Sequence, residues 1–291
     1  VNKLNIEQDV VDPSTWLLDL SDEAMEDVEK TAENLRRAKR DGAARILTYG
    51  AHSIKNGLGK VLARLAEKGW LTHLVTNGAG VIHDWEFAYQ GRSGEDVQRY
   101  AAEGQFGIWD ETGRYINLAI VVGAYNGLGY GESVGEMILK EGLEIPSDEE
   151  LKYAMLSGVE CANFPPAPRE VLDADQDSQA EILDHAAAAA DLLRAKRRFN
   201  LSDGWNRIPH PYQDYSVAYH LRRNKILFGC CPMIGCDIIY THPANRCSAI
   251  GRAAERARGA RKLPQRAAAG HSRPGHRLPA QRRASLRPRG A

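Results

Sequence analysis

A histidine and two acidic residues follow a glycine-rich segment at residues 76–86, which read TNGAGVIHDWE. An imidazole such as that of His83 can move protons near neutral pH. Asp84 has a second explanation, because the first turn of a helix favours a negative charge. The glycines would let a ligand approach the backbone, and the start of a following helix would offer N–H groups to a phosphate. The segment therefore predicts a cofactor loop, with a plain strand-to-helix turn as the alternative.

A second polar loop, YGAHSIKNGLG at residues 49–59, follows another strand-like run. Parallel sheets bind ligands at the carboxyl ends of their strands, so two such loops on adjacent strands favour a ligand site more than either alone. Lys55 could contact a phosphate or an acidic substrate group, and a solvated lysine is the alternative. We expect both loops to lie at one edge of the sheet.

Other polar residues have equally plain explanations. Glu111 and Glu132 lie beside glycines and would suit an amine ligand, although acids in such positions are usually helix starts. Four residues near the C-terminal strands suggest a metal at first: Cys230, Cys231, Cys236 and His242. Their spacing matches no common metal site, so we predict buried thiols and no metal. Five cysteines without a CxxC pair indicate reduced thiols in a cytoplasmic protein.

The elements that would position these residues follow an alternating pattern. A strand, a helix and a strand are predicted at residues 44–50, 57–69 and 71–78. That order is typical of a parallel βαβ unit. The next helix is predicted to begin near His83, after the glycine segment. The fold class expected from this pattern is α/β.

Further helices are predicted at residues 21–40, 131–142 and 178–198. The first should begin at Ser21, because a serine there precedes acids in the first turn and bases in the last. Residues 143–176 are rich in proline and aspartate and are expected to form a loop. An apolar strand is expected after the CPMIGC segment.

The charges divide the chain into two unlike parts. Residues 252–291 hold eleven arginines and one lysine against the single acid Glu255, and the overall net charge is zero, so residues 1–251 are strongly acidic. We expect residues 1–251 to form one domain and 252–291 to form a basic, disordered or non-native tail. No apolar run approaches the length of a membrane helix, and the N-terminus does not resemble a secretory signal.

The tail has three interpretations. It could be a solvated basic segment, or it could bind nucleic acid weakly through counterion release. It could also be an out-of-frame translation of a GC-rich coding sequence, since Arg, Ala, Pro, Gly and His dominate it.

Several motifs in order resemble one family. They are GAHSIKNGLGKVLARLAEKGWLTHLVTNGAGVIHDWE, SGEDV, FGIWDETGRYIN and CPMIGCDIIYTHPANR. Over residues 40–251 the chain resembles the deoxyhypusine synthase family, and more closely its bacterial deoxyhypusine synthase-like branch. The resemblance implies a Rossmann-like, doubly wound, mostly parallel sheet with helices on both faces, in a homotetramer. It also implies NAD as the cofactor.

In that family spermidine is oxidised by hydride transfer to NAD, and its aminobutyl group passes through an enzyme lysine to an acceptor amine or protein lysine. The residues that match the family's cofactor loops are Ala51, His52, Ser53, Ile54, Lys55, Asn77, Gly78 and Ala79. Asp237 matches an acid that contacts the polyamine, and His83 and Asp84 are predicted at the reacting end. The family's imine-forming lysine has no counterpart after Gly251, where Lys262 is the only lysine.

Two other functions stay open. One is a homospermidine synthase-type reaction, in which a free diamine accepts the aminobutyl group. The other is a non-catalytic protein that binds NAD, or nucleic acid through its basic tail.

Overall fold

The structure is a computed structural model that describes residues 2–14, 19–163, 172–233 and 235–259. Contacts divide the chain after Ala260, and the second unit, residues 261–291, lies outside the described residues. Lys262 and most of the expected basic tail belong to that unit. None of the described helices is both long and apolar enough to cross a membrane.

The helices and strands of the described residues have these bounds. The strands are β1 (Asn2–Asn5), β2 (Ile46–Thr48), β3 (His73–Asn77), β4 (Arg92–Glu95), β5 (Gly142–Ile145), β6 (Gly204–Arg207) and β7 (Leu227–Cys231). The helices of the first half are α1 (Ile6–Asp9), α2 (Asp22–Arg40), α3 (Ala51–Lys55), α4 (Gly59–Glu67), α5 (Gly78–Gln90), α6 (Val97–Ala102) and α7 (Asp110–Tyr125). Those of the second half are α8 (Tyr130–Lys140), α9 (Asp148–Asn163), α10 (Leu172–Phe199), α11 (Val217–Arg223) and α12 (Cys247–Gly259).

A parallel three-stranded sheet, in the order β2-β3-β7, lies behind the candidate site. Thr48 pairs with Val75 and Val75 pairs with Gly229, so the three strands run in one direction and end at a common edge. The predicted βαβ unit is confirmed, because β2, α4 and β3 follow one another and the strands are parallel. Two antiparallel pairs, β1-β4 and β5-β6, form separate small sheets. The protein is therefore α/β, with small sheets and a large share of helix.

Helix α7 lies at the centre of the hydrophobic core. All its residues from Ile116 to Ala124 are buried, and it packs against α8, α10 and α12. Trp85 and Phe87 of α5, together with Phe228 of β7, extend the same core towards the sheet. The apolar faces of these helices therefore hold the sheet and the N-terminus of α7 in fixed positions.

Local signals placed helix α2 correctly. It begins after Ser21, whose hydroxyl accepts a hydrogen bond from the Ala24 amide at 3.3 Å, as predicted. Acids occupy its first turn and bases its last turn, which suits the helix dipole. None of the residues of α2 is buried, so its stability comes from the Ser21 cap and the charges at its ends rather than from packing.

Three predicted boundaries are wrong. The glycine segment is not a loop, because α5 begins at Gly78 directly after β3 and not near His83. The expected loop over residues 143–176 contains β5 and α9, although residues 164–171 lie outside the described part. The expected apolar strand after the CPMIGC segment is a short 3-10 turn at Ile238–Thr241.

The first residues of the expected tail are also ordered. Helix α12 continues to Gly259, past the predicted boundary at residue 252. Its apolar residues Ala249, Ile250 and Ala253 are buried and lie on one face, and the helix packs against α7 and β7. These three apolar residues at helical spacing dock the segment against the core.

Candidate functional site

The two loops expected to hold a cofactor do come together at the carboxyl edge of the sheet. Helix α3 follows β2 after Gly50, α5 follows β3, and the two helices pack against each other. The Asn77 side-chain oxygen accepts a hydrogen bond from the Gly80 amide at 2.8 Å, so Asn77 is the N-cap of α5. His52 and Asn77 are exposed at this edge, whereas Ile54 is a buried core residue. The Ile54 side chain therefore supports the loop from below.

The position expected to receive a phosphate is covered by a carboxylate. A Cβ atom at Gly78 would overlap the side chain of Asp237, so the glycine allows this acid to lie over the first turn of α5. Ala79 is partly exposed beside it. Helix N-termini attract anions, and here the anion is a carboxylate of the chain itself. The sequence predicted that a ligand would approach these glycines closely, whereas in the structure the side chain that lies against Gly78 is Asp237.

Asp237 lies among buried polar atoms without partners. Its Oδ2 atom is buried and has no hydrogen-bond partner among the described residues, and the same holds for the hydroxyls of Tyr130 and Tyr240. Burial raises the pKa of Asp237, and a hydrogen bond from the Met233 backbone opposes the rise. Burial, and then the negative charge of Asp237, raise the pKa of Tyr240 to about 12. Each of these groups would gain from a donor or a cation at this point.

His83 belongs to a separate hydrogen-bonded group, which we call the imidazole cluster: His83, Glu86, Ser93 and Thr112. The His83 Nδ1 atom lies 2.6 Å from the Ser93 hydroxyl, and that hydroxyl lies 2.5 Å from Glu86 Oε2. The Thr112 hydroxyl donates to the other Glu86 oxygen at 3.2 Å. The cluster joins α5, β4 and the first turn of α7.

Lys55 approaches the same strand. Its Cε atom would lie 3.8 Å from a Cβ built at Gly94, the residue after Ser93. The structure thus brings one expected cofactor residue, Lys55, and one expected reacting residue, His83, to neighbouring positions of β4. Ser53 and Ala51, on the same short helix, are partly exposed.

Asp84 lies elsewhere and has a structural explanation. Its carboxylate accepts hydrogen bonds from the Ser216 hydroxyl at 2.7 Å and from the amides of Val217 and Ala218 at 2.8 and 3.0 Å. These donors form the N-terminus of α11, so Asp84 ties α5 to that helix. Burial raises the pKa of Asp84, and the three hydrogen bonds oppose the rise. The side chains of His83, Asp84 and Asp237, all expected at the reacting end, therefore have three different sets of neighbours in the structure.

A groove lies between the start of α7 and the 3-10 turn that follows Asp237. It consists of two adjoining pockets of about 270 and 350 Å³, which share Ile108, Trp109 and Asp110. We call it the aromatic groove; its other lining residues include Tyr100, Glu111, Ile238 and His242. It therefore combines indole and aliphatic surface with two carboxylates.

Polar contacts fix the walls of the aromatic groove. Glu95 accepts hydrogen bonds from the Gly107 amide and from the Trp109 indole nitrogen, both at 2.8 Å. His242 Nδ1 accepts from the Ala244 amide at 3.0 Å, so its Nε2 carries the proton and donates to Asp110 at 3.0 Å. Of the residues that line this groove, the sequence analysis named Glu111 but missed Trp109 and Asp110. The run of apolar, aromatic and acidic residues in the IWDE segment could have indicated them.

Two other expectations have plain outcomes. Glu132 accepts a hydrogen bond from the Gly129 amide at 3.0 Å and caps α8, which is the helix-start interpretation. All five cysteines are free thiols, and the prediction of buried thiols holds for Cys230 but is wrong for Cys231 and Cys236, which are exposed. In the described ranges, no three His, Cys, Asp or Glu side chains are grouped closely enough to hold a metal ion.

An unpartnered acid at Asp237 therefore lies at the start of α5, an imidazole cluster joins α5 to β4, and an aromatic groove with carboxylates lies at the start of α7. The expected cofactor residues lie around α3 and the start of α5, with Ile54 in the core. His83 belongs to the imidazole cluster, and Asp84 caps α11. No family model, curated protein or solved structure matches the chain.

Proposed function

We propose that the chain binds an aliphatic diamine or polyamine at the carboxyl edge of its parallel sheet. We propose further that it uses this amine in a deoxyhypusine synthase-like, NAD-dependent transfer of an aminobutyl group. The observation that carries the proposal is the buried Oδ2 atom of Asp237, which has no hydrogen-bond partner among the described residues. The next residue in the chain, Ile238, lines the aromatic groove. A protonated amine supplies both the charge and the donor that this oxygen lacks.

The aromatic groove suits the rest of such a ligand. A polyamine alternates cationic nitrogens with apolar methylene segments. Ile108, Trp109 and Ile238 offer apolar and aromatic surface, on which methylenes pack and an ammonium group is attracted to the indole face. Asp110 and Glu111 supply exposed carboxylates at its rim. The pockets, about 270 and 350 Å³, match the smaller sites that bind small molecules.

NAD is proposed from the family resemblance, in which it accepts a hydride from the amine. The residues around Gly78 do not fit its pyrophosphate, because the Asp237 carboxylate lies where a phosphate would approach the α5 N-terminus. Two anionic groups at one helix start repel each other. The side chains of His52 and Asn77 are exposed at this edge. NAD binding therefore requires that the Asp237 side chain leave Gly78 or lose its charge.

The finer fold and assembly are also proposals. The parallel order β2-β3-β7 supports a Rossmann-like, doubly wound arrangement. The exposed side chains of Ile46 on the edge strand β2 and of Tyr153 and Leu156 on α9 support association of copies, in the homotetramer that the resemblance implies. A protein lysine is the proposed acceptor, with a free diamine as the alternative.

Calorimetry with spermidine and putrescine on the full chain tests amine binding. We expect binding that weakens at least tenfold in Asp237→Asn, which keeps the shape of the side chain and removes its charge. Glu26→Gln, on the exposed surface of α2, is the matched control and should bind as the unmodified chain does. Absence of polyamine binding, or equal binding by Asp237→Asn, would overturn the proposal.

A further inference from the structure

Glu86, Ser93 and His83 form a chain of short hydrogen bonds that leads from a buried acid to a partly exposed imidazole. Ser93 has no exposed surface and Glu86 is buried, whereas the His83 side chain keeps 20% of its surface exposed. The Ser93 hydroxyl lies 2.5 Å from Glu86 Oε2 and 2.6 Å from His83 Nδ1. Each of these two contacts needs one proton between its atoms.

Counting protons fixes the direction of both bonds. The Ser93 hydroxyl donates to Glu86 Oε2. The hydroxyl has only one proton, so His83 Nδ1 must donate to the Ser93 oxygen. Nδ1 also lies 3.3 Å from Glu86 Oε2, which suits an N–H group shared between two acceptors. The proton of a neutral His83 ring is then on Nδ1, and the lone pair is on Nε2.

The geometry points to Glu86 and Ser93 as positioning residues that hold His83 with Nε2 as a free proton acceptor. Thr112 prevents the carboxylate from turning, because it donates to Glu86 Oε1 at 3.2 Å. Nε2 has no hydrogen-bond partner among the described residues and is not among their buried unpartnered atoms. Thr112 precedes Gly113, which lines the aromatic groove.

The chemical use of this relay rests on the proposed function. An ammonium group has no lone pair, so an amine substrate must lose a proton before its nitrogen can react. That proton passes to the His83 Nε2 lone pair, and the positive charge on the ring is balanced by Glu86 through Ser93. An oriented base of this kind contributes about 10²–10⁴-fold to a rate. The tautomer itself does not depend on what the protein binds.

The tautomer is measured by nitrogen NMR on the full chain labelled at its histidine rings. The His83 signals are assigned by their loss in His83→Gln, and we expect a protonated Nδ1 and an unprotonated Nε2. Ser93→Ala should change this pattern, and Glu86→Gln should change it without removing a hydroxyl from β4. Ser157→Ala, which removes a hydroxyl bonded only within α9, is the control.

A protonated Nε2 in the unmodified chain, or an unchanged pattern in both Ser93→Ala and Glu86→Gln, would overturn the relay. If the pattern is as expected but polyamines do not bind, the proposed function fails and the relay stands. If polyamines bind and aminobutyl transfer is active, Ser93→Ala should lower kcat at least tenfold with amine affinity unchanged. Loss of affinity with kcat unchanged would contradict the positioning role.

Discussion

The buried histidine His210 should make the stability of the protein depend on pH. Its side chain has no exposed surface, and neither ring nitrogen has a hydrogen-bond partner among the described residues. Its ring lies edge-on to Trp85 and Tyr89, with centroids 6.2 and 6.0 Å away. Burial lowers the pKa of His210 to about 4, and the nearby Ile208 backbone and Glu141 oppose this only in part. The folded chain therefore keeps this imidazole neutral.

The sign and size of the effect follow from that pKa. Between pH 6.5 and about 4 the unfolded chain binds a proton at His210 and the folded chain does not. Stability is therefore full above about pH 6.5 and falls as the pH drops towards 4. Each pH unit corresponds to about 1.4 kcal/mol, so His210 costs the folded state about 3 kcal/mol by pH 4. That is a large part of the 5–15 kcal/mol typical of a domain.

Urea unfolding at several pH values between 7.5 and 4 measures this contribution. His210→Phe keeps an aromatic ring in the site and cannot titrate. Between pH 7.5 and 4, its free energy of unfolding should therefore decrease by about 3 kcal/mol less than that of the unmodified chain does. His52→Gln, at an exposed histidine, is the matched control and should follow the unmodified chain. The same pH dependence in His210→Phe and in the unmodified chain would refute the reasoning.

Three further substitutions separate structural from binding roles. Asp84→Asn should lower the free energy of unfolding by about 2–3 kcal/mol in urea titrations. The new amide NH₂ group would face the N–H and O–H donors of α11, which it cannot accept from. Unchanged stability with lost activity would instead place Asp84 at the reacting end. Asp237→Asn should bind ADP-ribose more tightly in calorimetry, at least fivefold, because the carboxylate no longer repels a phosphate; weaker binding would mean that the acid contacts the nucleotide directly. Lys196→Met should lower the free energy of unfolding by about 2 kcal/mol, because Asp148 and Asp203 lose the buried ammonium but still reach solvent. An unchanged unfolding midpoint in Lys196→Met would show that these two ion pairs contribute nothing to stability.

Sequence reasoning succeeded where the cause of a structure is local. The Ser21 cap of α2 and the βαβ unit around α4 depend on a few adjacent residues and on the hydrophobic pattern. It failed for the start of α5, because glycines usually favour a loop. Here Gly78 and Gly80 are helical, and a Cβ at either would overlap Asp237 or Thr76.

The candidate site shows the same division. The proximity of His83 to Glu86 follows from one helical turn, but the role of Ser93 depends on how β4 packs. The partner of Asp84 is 132 residues away in the chain, at Ser216, and no local pattern predicts that contact. Residue types and their spacing in the sequence indicated which side chains could take part in chemistry. Only tertiary packing shows whether such a side chain caps a helix, as Asp84 does, or is free to react.

The position of β3 in the sheet has a consequence for biosynthesis. This central strand pairs with β2 just before it in the chain and with β7 on its other side, where His73 faces Leu227. The second partner leaves the ribosome about 150 residues later, which at 5–20 residues per second is a delay of roughly 8 to 30 seconds. Throughout that interval one side of β3 is unpaired, and a nascent chain with an open strand edge is a substrate for chaperones and a source of aggregation. A ribosome pause before residue 227 should therefore lower the yield of folded protein more than an equal pause after residue 231.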